Sequence, residues 1–112
     1  MNPTYRLFID VCLNKPIESE SIWVRLVTVL QFVPRNGDSI KLTDDATGDT
    51  KTLDLSGVVY DMSEGHFVAD ICDDTMAQNY KNGDAIDEAG LVAEYKQFGF
   101  VRLNFPQMEG RT

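Results

Sequence analysis

From Tyr5 to Leu13 apolar and polar positions alternate, with Tyr5, Leu7, Ile9, Val11 and Leu13 on one side and Arg6, Phe8, Asp10 and Cys12 on the other. A period of two is that of a β-strand. The stretch from Asn14 to Glu20 holds Pro16 and two glutamates and reads as an exposed connection. Ser21 to Val33 is dense in Val, Ile, Trp and Phe, which predicts a second, longer strand. The same residues also fit a helix, because Ile22, Leu26, Val29 and Val33 recur near a 3.6 period and Ser19 could cap it; the density of β-branched residues favours the strand.

That apolar run is stopped by Pro34, turned by Asn36-Gly37 and restarted as an alternating strand in which Ile40 and Leu42 face one way and Ser39 and Lys41 the other. Pro34 has no N–H for a ladder, and Asn36-Gly37 suits the positive φ angles of a tight turn. Strand patterns at Ser39–Leu42 and Lys51–Leu55 are joined by turn-forming residues, predicting a hairpin with a mobile acidic tip. A second hairpin is predicted from Gly57–Met62 and His66–Cys72 across Ser63-Glu64-Gly65. The polar passage Asp73–Gly83 leaves room for one helical turn around Met76–Tyr80. Asp84 is positioned to cap a helix over Ala85–Gln97 that places Leu91, Val92, Tyr95 and Phe98 on one face and is stopped by Gly99. Phe100–Phe105 offers a last short strand before Pro106. The likeness of Arg35-Asn36-Gly37-Asp38 to Lys81-Asn82-Gly83-Asp84 is shared turn chemistry, because the flanking residues do not match.

These elements predict a mostly β, α+β fold. It would be a small, strongly bent antiparallel sheet or an SH3-like, partly open barrel, with an added N-terminal strand pair and one helix at about 85–97, in a single domain over 1–112. The Pro34-Arg35-Asn36-Gly37-Asp38 cassette, with Gly57-Val58-Val59-Tyr60-Asp61 and its returning strand, resembles small bacterial proteins of uncharacterised function that open a barrel in this way. The likeness covers about Phe32 to Cys72 and implies a bent barrel or half-barrel; it carries no catalytic residue across. The N-terminal strands and the late helix depart from a minimal barrel.

Among 112 residues, 43% are hydrophobic and 25% charged, as in an ordinary globular protein. Ten Lys and Arg against eighteen Asp and Glu give a net charge of -8, which repels phosphate backbones and anionic membranes. The expected partners are therefore a protein with a basic surface or a second copy of this chain, not nucleic acid or membrane. Arg25, Lys41, Lys51 and Arg102 are too dispersed to form a basic stripe. Cys12 and Cys72 have no metal-type spacing and read as small core residues. With no N-terminal apolar leader, a reducing, cytoplasmic setting is expected.

His66 is the single histidine and is expected to face solvent at a strand end, with no Gly-x-Ser-x-Gly elbow to suggest a hydrolytic triad. Asp45-x-Thr47-x-Asp49 fails as a calcium loop, having Thr50 where Gly is needed and Ser56 where the bidentate Glu is needed. No catalytic residue, cofactor or metal is assigned. The candidate binding residues are Trp23, Tyr60, Asp44, Asp45, Asp49, Asp73 and Asp74, as aromatic anchors ringed by acids. The leading expectation is a non-enzymatic, acidic interaction domain of inhibitor, immunity or accessory type. The alternative is a small-molecule or divalent-metal-dependent binder or enzyme using Asp70, Asp73, Asp74 and His66.

Overall fold

A computed structural model describes residues 3–16 and 21–103. The part of the first connection at 17–20, the alternative cap at Ser19 and the end of the predicted final strand at 104–105 lie outside the described residues. The elements run in the order β1 (Tyr5–Leu13), β2 (Ile22–Leu30), β3 (Ser39–Thr43), β4 (Thr50–Asp54), β5 (Val59–Asp61), β6 (His66–Asp73), α1 (Thr75–Lys81), α2 (Glu88–Gln97) and β7 (Val101–Arg102). The strands form a five-stranded sheet in the order β5-β6-β1-β2-β7 and a separate β3-β4 pair, and among the described residues no closed barrel forms.

Ile22–Leu30 is a strand, as its β-branched residues favour, and it ends before Phe32, which is exposed. Neighbouring strands β1 and β6 ascend together. Phe8 stacks on His66 toward their starts, while the Asn14 amide just past β1 donates to the Asp73 carbonyl at the end of β6. The larger sheet is thus mixed, which corrects the expectation of a wholly antiparallel one. A period-two pattern shows that a residue is in a strand but carries no information about the direction of its neighbour.

Close contacts divide the described chain into two compact units: residues up to Asp10 with Leu26–Ile71, and Val11–Arg25 with the residues from Cys72 onward. In the first unit, Leu7, Ile9, Ile40, Leu53, Leu55 and Ala69 are buried. Ile40 lies opposite Leu53 across the β3–β4 ladder, so the inward positions of that hairpin meet as its alternation requires. The turn that enters it is closed by the Asp38 amide donating to the Arg35 carbonyl (3.1 Å) and by the Gly37 amide donating to the Leu55 carbonyl (2.9 Å). Gly37 alone has a positive φ there, at 91°, because no non-glycine residue described has one. Asn36 instead contributes its side-chain oxygen, which accepts from the Val58 amide at 2.8 Å.

In the second unit, Val11, Leu13, Ile22, Val24, Met76, Val92, Tyr95 and Phe100 are buried. Among the described residues there are two helices rather than one. The single turn expected near Met76 is the seven-residue α1, which buries Met76. The later helix begins at Glu88 and not at Ala85, because its cap is Asp87, whose carboxylate accepts from the Gly90 amide at 2.8 Å. Asp84 gives its own amide to the Asn79 carbonyl in the turn that ends α1. Gly99, with φ 98°, stops α2 as expected, and β7 pairs antiparallel with β2 through Val24–Arg102 and Arg25–Val101. Val92 and Tyr95 are buried while Leu91 and Phe98 are half-buried, so only part of the expected helix face is covered. Among the described residues no helix is long and apolar enough to cross a membrane.

Candidate functional site

The paired residues of the β5–β6 hairpin, Val59–Asp61 and His66–Val68, lie in the first unit, and β5 is an edge strand of the larger sheet. Its loop is fixed by Asp61, whose carboxylate accepts from the Ser63 hydroxyl (2.7 Å) and from the Ser63 and Glu64 amides (3.0 and 3.2 Å). The bond from the Ser63 side chain, followed by that from the Glu64 amide, holds Asp61 below the ordinary carboxylate range, so it stays charged at neutral pH. Gly65, with φ 74°, completes the loop by donating its amide to the Asp61 carbonyl.

On this framework three large apolar side chains meet solvent: Val59 is 60% exposed, Tyr60 51% and Met62 86%. Tyr60 does not dangle. Its ring packs edge-on against Phe67 at 4.8 Å between centroids, and Phe67 in turn meets Tyr5 at 6.2 Å. A pre-positioned aromatic side chain loses little conformational freedom on binding, which suits it as an anchor. Asp61 and Glu64 flank it in the same hairpin. The outer side of β5 has no strand partner among the described residues, and such an edge is a template for another extended chain. The end of β2 also exposes Val27 and Val29, followed by Phe32 and Val33, but this stretch runs into Arg35 rather than into acids.

The other candidate residues are not gathered around Tyr60. Asp44, Asp45 and Asp49 sit at the β3–β4 tip, which closes on itself: Asp44 accepts from the Ala46 amide and the Thr47 hydroxyl, and its carbonyl takes the Gly48 amide. Trp23, in the second unit, is half-buried on β2, and its carbonyl accepts from the Leu103 amide. Asp73 and Asp74 join β6 to α1. The Asp73 carboxylate accepts from the Thr75 amide (2.9 Å) and the buried Tyr95 hydroxyl (2.6 Å), and Asp74 accepts from the Asn14 side chain. Burial and then Asp73 push the Tyr95 phenol far above its ordinary value, fixing it as a donor.

Two expectations about single residues are overturned. His66 is only 8% exposed because it stacks flat on Phe8 of the neighbouring strand β1, with ring centroids 3.9 Å apart. Cys12 is buried as expected but Cys72 is exposed, near the end of β6. Sequence reasoning also missed Asp10, placed on the polar face of β1 yet fully buried at 0%. Its signal was the unbroken run Ile9–Leu13, apolar on both faces except for that one charge.

His66 and Asp73 are the first and last residues of β6, His66 in the first unit and Asp73 in the second. Among the described residues no group of three His, Cys, Asp or Glu side chains is placed to hold a metal ion. In the second unit an open cleft of about 570 Å³ has walls that include Asn14, Lys15, Pro16, Ser21, Tyr80 and Lys81. Lys15 is drawn to Glu88 at 2.7 Å and is not a spare cation. No protein-family model, curated protein or solved structure matches the chain.

Proposed function

We propose that the protein is a non-enzymatic interaction domain that binds a second protein bearing a basic, partly apolar strand, which adds to the edge of β5. The observation that carries this reading is the held but exposed Tyr60, with Val59 on the same edge strand and Met62 in the turn that follows, beside Asp61 and Glu64. Backbone pairing along the edge and burial of these three side chains supply affinity. The charge of -8 speeds capture of a basic partner and opposes the approach of a second copy, which carries the same charge. Exposed acids of the β3–β4 tip act at longer range as part of that field. The turn-led β3–β4 hairpin supports an SH3-like, partly open reading of the first unit, a scaffold with no function of its own.

Immobilised wild-type chain and Tyr60→Ala are compared as baits at low and high salt, with sizing chromatography of the free chain. A basic protein retained by the wild type at low salt, weakened at high salt and lost with Tyr60→Ala supports the reading. Equal retention by both baits, or a wild type that only self-associates, refutes it.

A further inference from the structure

We propose that Cys12 and Cys72 form a redox-responsive pair, which a low-molecular-weight disulfide such as oxidised glutathione converts into an intrachain bond clamping β1 to β6. Both are free thiols, and both lie in the second unit. Their register follows from one hydrogen bond. In a parallel ladder, a residue whose amide donates to the carbonyl of residue j−1 stands level with residue j. The Asn14 amide donates to the Asp73 carbonyl at 2.9 Å, so Asn14 is level with Asp74, and their side chains bond each other. Two residues earlier on each strand, Cys12 is level with Cys72 and on the same face. Burial raises the Cys12 thiol above its ordinary value, and the nearby Cys72 pushes it the same way.

Neighbouring strands are about 4.8 Å apart. That falls inside the roughly 4.4–6.8 Å range of Cα separations that disulfides span. Side chains of level residues in a sheet run parallel instead of converging, so the bond closes with some distortion and is easily reduced again. Exposure divides the roles. Cys72 is exposed, whereas Cys12 is only 7% exposed and donates its S–H to the Asn14 side-chain oxygen at 3.1 Å. The Cys72 thiolate attacks one sulfur of oxidised glutathione, forming a mixed disulfide and releasing one glutathione thiolate. The Cys12 thiolate then attacks the Cys72 sulfur, forming the intrachain bond and expelling the second glutathione. The two protein thiols are oxidised, one glutathione disulfide is reduced to two thiols, and the two protons pass to them.

The test incubates the intact chain with oxidised glutathione. Thiol titration of the unfolded product should fall from two groups to none, peptide mapping should give a Cys12–Cys72 link within one chain, and the thermal midpoint should rise by roughly 10 °C and return with dithiothreitol. Cys12→Ser should accumulate a stable glutathione adduct on Cys72, and Cys72→Ser should stay largely unmodified. A wild type that stops at the Cys72 adduct, links two chains, or keeps both thiols overturns the pairing.

Discussion

Asp44-Asp45 and Asp73-Asp74 look alike along the chain, each an aspartate doublet at the end of a strand, the first just after β3 and the second beginning with the last residue of β6. They differ in what they hold. At the β3–β4 tip the first pair serves its own loop, with Asp44 satisfying the Ala46 amide and Thr47 hydroxyl and Asp45 exposed. At the end of β6, Asp73 reaches the start of α1 through Thr75 and the buried ring of α2 through Tyr95, 22 residues away. Asp74 reaches the end of β1 through Asn14, 60 residues away. An acidic doublet is therefore neither a binding site nor a structural joint by composition. The groups it accepts from, and whether those are wet, decide the matter.

Asp73→Ala offers the harshest test of that contrast. It leaves the buried Tyr95 hydroxyl without its acceptor and uncaps the Thr75 amide, and should destabilise by roughly 2–4 kcal/mol in chemical denaturation. Tyr95→Phe should cost less, about 1–2 kcal/mol, and should also change the response to alkali. The folded-state value of Tyr95 is raised, so its contribution is whole below the ordinary tyrosine value, about 10, and is lost as pH rises from there toward the folded-state value, where only the unfolded chain ionises. Wild-type stability should thus fall above about pH 10 more steeply than that of Tyr95→Phe. At the other doublet, Asp44→Ala should cost about 1 kcal/mol, confined to the loop bonds it removes. Asp45→Asn should change stability by less than about 0.5 kcal/mol. If the two doublets proved equal, the distinction between joint and tip would be lost.

Much of the scaffold was legible. Alternation marked β1 and β3, turn residues placed both hairpins, and Gly37, Gly65 and Gly99 stood where the chain takes positive φ. What escaped was set by contacts between distant residues. The parallel run of β1 beside β6 buries His66 on Phe8 and brings Asn14 to Asp73, and no local period encodes it. Asp84 and Asp87 have equal capping chemistry, and only the Gly90 amide taken by Asp87 separates them. α1 is short and its Asp74 cap makes no side-chain capping bond, so it left little local signature. Of the candidate site, Tyr60 was legible as an aromatic residue in a strand; that β5 is an edge follows from sheet order, which its own sequence does not state.

Hydrogen–deuterium exchange of the chain, alone and with the protein it captures, tests most directly whether recognition belongs to β5 and not to either doublet. Slowed exchange at the amides of Val59 to Asp61, with the Asp44–Asp49 tip and the Asp73–Asp74 joint little changed, is the predicted result. Protection concentrated at the tip or the joint, with β5 exchanging as in the free chain, would contradict it.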